Sequence, residues 1–251
     1  MAVKSEACDP ARVAIIQARM GSTRLPGKVL MRVLGKPLLE FQIERLARCR
    51  QFSKLVVATT EAKGDDAIAD FCKAHGVACF RGSEDDVLGR YAGAAAACGA
   101  GVVARLTADC PLMDPDVVDR VFAAYAAANS EDAYAQNVLQ RTYPRGLDTE
   151  VFSAAALRRA AAAAHDPYER EHVTPYLQRH PEFFRRVDVV NDTDASRHRW
   201  TVDTPEDFDL VRRIIEALYP GRPAFTSAEV LDLLALHPDW VAINAGIRQK
   251  T

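Results

Sequence analysis

The fold is decided by a segment near the beginning of the chain, Arg12-Val-Ala-Ile-Ile-Gln-Ala-Arg-Met-Gly-Ser-Thr-Arg-Leu-Pro-Gly-Lys28. Its apolar residues 13–16 predict a buried strand that ends at a loop with two glycines and three cations, Arg19, Arg24 and Lys28. At the carboxyl end of the first strand of an α/β sheet, such a loop is placed to hold a polyphosphate. Glycines let backbone N–H groups approach the anion, and the cations supply countercharge. The alternative interpretation is an exposed basic turn.

The two common glycine-loop patterns are absent from this loop. A Walker loop has four residues between its glycines and a Ser or Thr after the lysine. Here five residues separate Gly21 from Gly27, and Val29 follows Lys28. The pattern Gly-x-Gly-x-x-Gly is not present either. We therefore interpret the segment as a triphosphate loop of another kind.

The composition is that of an ordinary globular protein. The 251 residues are 49% apolar and 26% charged, and they can bury a sizeable core. With 32 basic and 34 acidic side chains, no global field favours nucleic acid or membrane, so any anion site must be local. No apolar run could span a bilayer, residues 1–10 lack a signal peptide, and the six cysteines show no Cys-x-x-Cys spacing. We expect a cytoplasmic protein with reduced thiols and without a zinc site.

The first half of the chain alternates between strand and helix patterns. Strands are predicted at 13–16, 54–59, 76–80 and 101–106, and helices at 37–49, 65–75, 86–98 and 115–128. Such alternation indicates βαβ units. The sequence therefore predicts an α/β fold with a mainly parallel sheet and helices on both faces.

The pattern becomes irregular in the second half. We predict strands at 133–139, 147–152 and 184–190, and helices at 154–164 and 167–179. Regular structure resumes with a strand at 200–203 and helices at 205–218 and 227–236. We interpret 1–251 as a single domain with an irregular α+β insert at about 133–190. Such additions often carry substrate contacts or a subunit interface.

Two aspartates follow predicted strands, at the edge where such a sheet binds ligands. Asp109 follows the apolar strand at 101–106, and Asp203 follows Arg199-Trp-Thr-Val202. Mg²⁺ bound to a nucleotide takes one or two protein carboxylates and shares phosphate oxygens, so the pair could hold this metal. Alternatively, Asp109 is a turn residue and Asp203 only precedes a helix. The Asp114-x-Asp116 pair is better explained by capping at a helix start, and we reject it as the metal site.

Other polar clusters allow two interpretations each. Ser83 and Arg90 either approach a nucleotide or belong to a capped helix start. In the irregular region, Arg145 could bind an acceptor carboxylate through both nitrogens. Residues 169–172 could instead form a solvated helix face.

Six motifs extend across the chain: Ala14-Ile-Ile-Gln-Ala-Arg-Met-Gly-Ser-Thr-Arg-Leu-Pro-Gly-Lys-Val-Leu30, Gly82-Ser-Glu-Asp-Asp-Val-Leu-Gly-Arg-Tyr91, Arg105-Leu-Thr-Ala-Asp-Cys-Pro-Leu112, Pro144-Arg-Gly-Leu-Asp148, Arg170-Glu-His-Val-Thr174 and Thr201-Val-Asp-Thr-Pro-Glu-Asp207. With these motifs, residues 12–218 resemble the cytidylyltransferases of spore coat polysaccharide biosynthesis. Those proteins are relatives of the acylneuraminate and 3-deoxy-manno-octulosonate cytidylyltransferases.

The resemblance implies a fold and a reaction. The fold is a three-layer, Rossmann-like α/β sheet of the nucleotide-diphospho-sugar transferase type. In that family the loop binds the triphosphate of CTP, and the aspartates matching Asp109 and Asp203 bind Mg²⁺. The hydroxyl of a small acidic sugar attacks the α-phosphorus, giving a CMP-sugar and pyrophosphate. A homodimer formed through the insert is also implied.

The resemblance assigns roles to particular residues. Catalytic roles are implied for Arg19, Lys28, Asp109 and Asp203. Nucleotide contacts are implied for Ala18, Arg19, Gly21, Ser22, Arg24, Lys28, Ser83, Arg90 and Arg105. Arg105 could alternatively lie beneath the carboxylate of the sugar. Acceptor contacts are implied for Arg145, Asp148, Glu150, Glu171 and His172.

One position departs from the family pattern, and two other functions stay open. The family usually has glycine where this chain has Ala108, and the extra methyl group could crowd the nucleotide. The same chemistry on a sugar phosphate or polyol phosphate would give a CDP-linked product. A nucleotide-binding relative without catalysis is the other alternative, although the intact aspartates and loop cations disfavour it.

Overall fold

The computed structural model describes residues 11–249. Residues 1–10, for which the sequence predicts no signal peptide, lie outside the described part. The described part contains nine strands: β1 (Arg12–Gln17), β2 (Arg32–Val33), β3 (Lys36–Pro37), β4 (Lys54–Thr60), β5 (Ala78–Gly82), β6 (Val102–Thr107), β7 (Ala133–Gln136), β8 (Glu150–Ser153) and β9 (Arg185–Asp188).

Seven of these strands form one sheet, in the spatial order β5-β4-β1-β6-β8-β7-β9. Strands β5, β4, β1 and β6 are parallel, which confirms the predicted parallel sheet. Strand β8 is antiparallel to both β6 and β7, and β9 is parallel to β7. The irregular region 133–190 therefore extends the main sheet by three strands, while β2 and β3 pair separately as a short hairpin.

Helices cover both faces of the sheet. They are α1 (Leu38–Leu46), α2 (Asp66–Ala74), α3 (Val87–Ala97), α4 (Pro115–Ala127), α5 (Ala154–Ala163), α6 (Pro167–His172), α7 (Pro175–Arg179), α8 (Pro205–Leu218), α9 (Ser227–Leu236) and α10 (Pro238–Ala242). Within residues 11–249, no helix is both long enough and apolar enough to cross a membrane.

The alternation of side chains along β1 explains the three layers. Ala14 and Ile16 pack into a core with α1, α2, α4, α8 and α9, whereas Val13 and Ile15 pack into a second core with α3, α5 and α7. Successive side chains of a strand point to opposite faces, so a strand that is apolar at every position must be covered on both sides. The predicted three-layer α/β fold is confirmed.

The predicted helix at 167–179 was wrong, because the structure has two helices there. Val173 has φ 73°, in the left-handed region, and it separates α6 from α7. Pro175 begins α7. A proline cannot donate the backbone hydrogen bond of a helix interior, and a residue in the left-handed region such as Val173 cannot continue a right-handed helix. The chain therefore turns at 173–174.

The predicted strand at 200–203 was also wrong. Trp200 and Val202 are fully buried, but this segment joins no ladder of the sheet. Its backbone instead donates single hydrogen bonds, from Trp200 to the Arg145 carbonyl (2.6 Å) and from Val202 to the Asp109 carbonyl (2.8 Å). An apolar run indicates that a segment is buried, but a buried segment does not have to pair as a strand of a sheet.

The close approach of 145–146 to 200–201 requires a glycine. Gly146 has φ 109°, and a Cβ there would lie 2.7 Å from the Thr201 nitrogen and the Trp200 carbonyl carbon. We expect Gly146→Ala to lower the free energy of unfolding by about 2–4 kcal/mol, measured by urea denaturation. Gly99→Ala is the matched control, since Gly99 has φ 64° with open space around it. It should cost only about 1 kcal/mol, and equal losses in both variants would contradict the proposed clash.

Candidate active site

The loop after β1 is held in place by hydrogen bonds from its backbone. Ala18 N–H donates to the Ala58 carbonyl (3.1 Å), and Gly27 N–H donates to the Met20 carbonyl (2.9 Å), which closes the loop. Gly27 has φ 72°, a conformation that glycine adopts without steric cost. The next residue, Lys28, begins a short 3₁₀ turn that ends at Leu30.

Asp65 anchors this loop from a different part of the chain. Its Oδ1 accepts the Met20 N–H (2.7 Å). Its Oδ2 accepts the Thr60 N–H (3.2 Å) and hydroxyl (2.5 Å) and the Thr59 hydroxyl (3.2 Å). Only 3% of Asp65 is exposed. A buried carboxylate with several donors holds them rigidly, so Asp65 fixes the loop relative to β4.

Asp109 and Asp203 meet at the centre of the site and share one ammonium group. Lys28 Nζ lies 2.9 Å from Asp109 Oδ2 and 2.7 Å from Asp203 Oδ1. The backbone brings the carboxylates together, because Ala108 N–H donates to the Gln17 carbonyl (2.9 Å) and Val202 N–H to the Asp109 carbonyl (2.8 Å). The structure therefore brings together the predicted loop lysine and both predicted aspartates.

Lys28 and Asp109 are both charged at neutral pH. Burial lowers the pKa of Lys28, but Asp109 and Asp203 outweigh burial and place it above its ordinary value. Burial raises the pKa of Asp109, but Lys28 and the Thr107 hydroxyl, 2.6 Å from Oδ1, outweigh burial and place it below its ordinary value. The neighbouring Cys110 is no candidate nucleophile, because burial raises the pKa of its thiol.

Asp203 has two further cationic partners. Its Oδ2 lies 3.1 Å from a terminal nitrogen of Arg24 and 2.6 Å from one of Arg199. Arg24 approaches from the loop, while Arg199 is buried and lies behind the carboxylate. Asp203 therefore stays oriented from behind even when groups in the cleft move.

A cleft with two connected lobes opens over these carboxylates. The first lobe, about 330 Å³, is lined by the loop and by the carboxylates: Arg19, Gly21, Ser22, Arg24, Lys28, Asp109 and Asp203. The second lobe, about 270 Å³, adds Arg105, Arg145 and Asp148. Glu171 and His172 line both lobes.

The second lobe presents two arginines in different states. Arg105 is paired with Glu150, which also accepts a hydrogen bond from Tyr134. Arg145 lies close to Arg141 and Asp148, but within residues 11–249 its side chain makes no hydrogen bond or ion pair. Burial, together with Arg141, lowers the pKa of Arg145 from its high ordinary value. A negatively charged ligand would therefore stabilise the charged form of this guanidinium.

Four of the predicted contact residues do not line the cleft. Ala18 is buried and uses its N–H within the sheet. The Ser83 hydroxyl accepts the Asp86 N–H (3.2 Å), and Arg90 is buried and donates to the Ser83 carbonyl, so the capped-helix interpretation describes both. Glu150 is 2% exposed and serves as the buried counterion of Arg105. Each of the four residues therefore has a partner elsewhere in the protein, although two guanidinium nitrogens of Arg90 have none within residues 11–249.

Three residues that line both lobes were not predicted from the sequence. Gln17 and Thr107 are partners across the β1–β6 ladder, and both line the two lobes. Their positions at the ends of predicted strands were the available signal. Gln249 also lines both lobes and accepts a hydrogen bond from Arg199 (2.7 Å). Nothing in the sequence around Gln249 indicates such a contact.

The chemistry of the carboxylate pair fits Mg²⁺ bound together with a nucleotide. Both carboxylates contact one small cation, the Lys28 ammonium, with hard oxygen donors. In the described part of the chain, no cluster of three or more His, Cys, Asp or Glu side chains is arranged to hold a metal. Mg²⁺ keeps several waters and needs only one or two protein carboxylates beside phosphate oxygens. A two-carboxylate site suits that ion better than one that needs a complete protein cage.

The fold and the site define an α/β nucleotidyltransferase. The profile of the cytidylyltransferase family matches residues 13–229. The chain is 35% identical over 233 residues to the spore coat polysaccharide biosynthesis protein SpsF of Bacillus subtilis, covering 90% of this chain and 94% of that one. The chain belongs to the cytidylyltransferase family.

Solved structures agree with this assignment. A cytidylyltransferase from Leptospira borgpetersenii superposes with a TM-score of 0.89 at 32% identity, covering 97% of this chain and all of that one. A CMP:2-keto-3-deoxy-manno-octonic acid synthetase complexed with CTP superposes with a TM-score of 0.62 at 19% identity, covering 82% of this chain and 99% of that one. At that lower identity, the likeness shows the fold alone.

The anchoring role of Asp65 can be tested by Asp65→Asn. An amide has one acceptor oxygen and cannot satisfy all the donors that the carboxylate binds. We expect the free energy of unfolding to fall by about 1–3 kcal/mol and nucleotide affinity, measured by calorimetry, to fall about tenfold, or about 1.4 kcal/mol. Asp66→Asn is the control, since Asp66 is exposed and pairs with Arg81. Wild-type nucleotide affinity in Asp65→Asn would rule out the anchoring role.

Proposed function

We propose that the protein is a Mg²⁺-dependent cytidylyltransferase that couples CTP to a small acidic sugar, giving a CMP-sugar and pyrophosphate for surface glycan biosynthesis. The observation that carries the proposal is the Asp109–Lys28–Asp203 cluster beneath a cation-lined loop. It combines metal ligands and phosphate ligands within one cleft. Membership of the cytidylyltransferase family and similarity to SpsF support the cytidine base and the glycan pathway.

The first lobe would bind the nucleotide. Arg19 is exposed in the loop and, within residues 11–249, makes no hydrogen bond or ion pair, so its guanidinium is available to phosphate oxygens. Arg24 and Lys28 would turn from the aspartates to the triphosphate and the pyrophosphate leaving group. Gly21 and Ser22 would offer backbone and hydroxyl donors. Asp109 and Asp203 would then hold Mg²⁺, which neutralises phosphate charge and lowers the pKa of the attacking hydroxyl.

The chemistry is a displacement at the α-phosphorus. The acceptor hydroxyl oxygen forms a new bond to the α-phosphorus and releases its proton to solvent. The bond between the α-phosphorus and the oxygen that bridges to the β-phosphate breaks, and pyrophosphate leaves with those electrons. Charge spreads over the phosphate oxygens in the transition state, and the loop cations stabilise it electrostatically. No covalent enzyme intermediate is needed.

The second lobe would bind the acceptor. Arg145 and Arg105 can bind a carboxylate through their guanidinium groups. The buried Glu150 orients Arg105 through their ion pair. Asp148 and Glu171 can accept hydrogen bonds from sugar hydroxyls. Burial lowers the pKa of His172, so its ring is neutral near pH 7 and can also accept one. Region 133–190 supplies Arg145, Asp148, Glu171 and His172 to this lobe.

Two further elements of the proposal concern the cellular context. We propose a cytoplasmic enzyme, because the cysteines of the described part (Cys49, Cys72, Cys79, Cys98 and Cys110) are all free, which suits a reducing compartment. We also propose a homodimer formed through region 133–190, by resemblance to the acidic-sugar branch of the family.

A phosphorylated acceptor is the second candidate substrate. Arginines bind phosphate as well as carboxylate, so Arg145, which makes no ion pair within residues 11–249, suits a sugar phosphate or polyol phosphate equally. The mass of the product separates the two, because a carboxylate sugar gives a CMP-linked product and a phosphate gives a CDP-linked one.

We expect Asp109→Ala to lower pyrophosphate release from CTP and acceptor by about 100-fold or more, because it removes a metal ligand. Circular dichroism should show an intact fold, since Asp109 contributes no apolar packing. Asp116→Ala is the control, because that carboxylate is largely exposed and pairs with Arg50, which is not part of the cluster. Activity within about tenfold of wild type in Asp109→Ala would contradict the metal assignment.

The base can be identified without knowing the acceptor. A ligand at about a hundred times its dissociation constant stabilises a protein by about 2.7 kcal/mol, which is several degrees for a chain of this size. We expect Mg²⁺-dependent thermal stabilisation by CTP but not by ATP, GTP or UTP, and its loss in Asp109→Ala. Equal stabilisation by all four would remove the cytidine assignment and leave the phosphate loop intact. No stabilisation by any of the four would contradict a nucleotide site in the free protein and would favour an enzyme that binds its sugar first.

A further inference from the structure

The orientation of Asp203 depends on groups that lie outside the cleft. Lys28 and Arg24 approach Asp203 from the cleft, and both are proposed to turn to the triphosphate when it binds. Arg199 approaches from behind, 2.6 Å from Oδ2, and lines a neighbouring cavity rather than either cleft lobe. With nucleotide bound, Arg199 would remain the cation that orients this carboxylate.

Arg199 is itself held by a fully buried carboxylate, Asp207. The Arg199 Nε lies 2.9 Å from Asp207 Oδ1, and a terminal nitrogen lies 3.1 Å from Oδ2. Asp207 also accepts the backbone N–H of Asp203 (3.0 Å) and of Thr204 (3.2 Å). Asp207 therefore fixes both the backbone of Asp203 and, through Arg199, its side chain.

Asn244 joins this pair from the segment after α10. Its Nδ2 donates to Asp207 Oδ1 (2.8 Å) and to the Arg199 carbonyl (2.9 Å), and only 4% of the residue is exposed. Gln249 accepts from the remaining terminal nitrogen of Arg199 (2.7 Å). Both residues lie beyond the part of the chain that the family profile matches, residues 13–229.

We propose that Asn244 is a positioning residue, which acts through Asp207 and Arg199 to hold Asp203 in the geometry that binds the metal. The inference rests on the proposed metal site at Asp109 and Asp203. The Asn244 amide donates to the carboxylate of Asp207 and to the backbone carbonyl of Arg199, so it limits the rotation of that carboxylate and fixes the backbone from which the Arg199 side chain extends. Outer partners of this kind set the affinity of metal ligands. The competing explanation is that Asn244 only fastens segment 243–249 to the body of the protein.

The test compares Mn²⁺ affinity with stability in the full-length chain. Mn²⁺ binding to the CTP complex is measured by electron paramagnetic resonance, and CTP affinity is measured separately in EDTA. We expect Asn244→Ala to raise the Mn²⁺ dissociation constant about tenfold, which corresponds to about 1.4 kcal/mol. The affinity for CTP without metal should stay within about twofold of wild type. Asn244→Asp keeps the side-chain shape but places an anion beside Asp207, so its effect should be at least as large.

Thr226→Ala is the matched control, because Thr226 caps α9 in the same part of the chain without touching the network. It should lower the melting temperature and leave the Mn²⁺ dissociation constant unchanged. If Asn244→Ala behaves like Thr226→Ala, or if Asn244→Asp retains wild-type Mn²⁺ affinity, the positioning role is overturned. Should Asn244→Ala fail to fold, Asn244→Asp carries the test alone, with the same outcomes deciding it.

Amide hydrogen exchange at Asp203 gives a readout that needs neither metal nor nucleotide. Its N–H is bonded to Asp207, so Asn244→Ala should accelerate its exchange relative to amides of β4, whereas Thr226→Ala should not. If the wild type binds no Mn²⁺ with CTP, the metal site itself fails. Accelerated exchange would then still support the network, and unchanged exchange would overturn it.

Discussion

Two aspartates from distant parts of the chain share one ammonium group, and the architecture of the site depends on this contact. Asp109 follows β6, Asp203 precedes α8 and Lys28 follows the β1 loop, so all three segments must reach one point. Two partly buried carboxylates so close together would repel each other without a cation between them. Removing the lysine would leave that repulsion uncompensated, and breaking a buried ion pair costs more than the pair contributes.

The position of this cluster follows from the sheet order, in which four predicted strands lie side by side and parallel. The chain leaves β1 towards β4 and β5 on one side, while β6 lies on the other, so the carboxyl end of β1 borders the crevice where α/β sheets bind ligands. Apolar runs and helix start signals were sufficient for these four parallel strands. The loop cations and both aspartates could be found for the same reason, because strand ends mark that edge.

Other parts of the site could not be found from sequence because they depend on tertiary contacts. Asp65, Asp207 and Asn244 are ordinary polar residues until the fold surrounds them with donors and acceptors. The reverse error occurred with Arg90 and Glu150, whose charges suggested ligand contacts but are used inside the protein. Residue type and spacing report which chemistry is available, whereas burial decides whether a ligand can reach it.

We predict that Lys28 exchanges its carboxylate partners for phosphate oxygens when the metal nucleotide binds, since an ammonium and a divalent cation cannot both lie between Asp109 and Asp203. The most direct measurement is a crystal structure with CTP and Mn²⁺, with anomalous diffraction data to locate the metal. We expect an anomalous peak bound by Asp109 and Asp203, with Lys28 Nζ moved to the triphosphate. A peak away from these aspartates, or Lys28 still between them in the presence of bound CTP, would contradict the account.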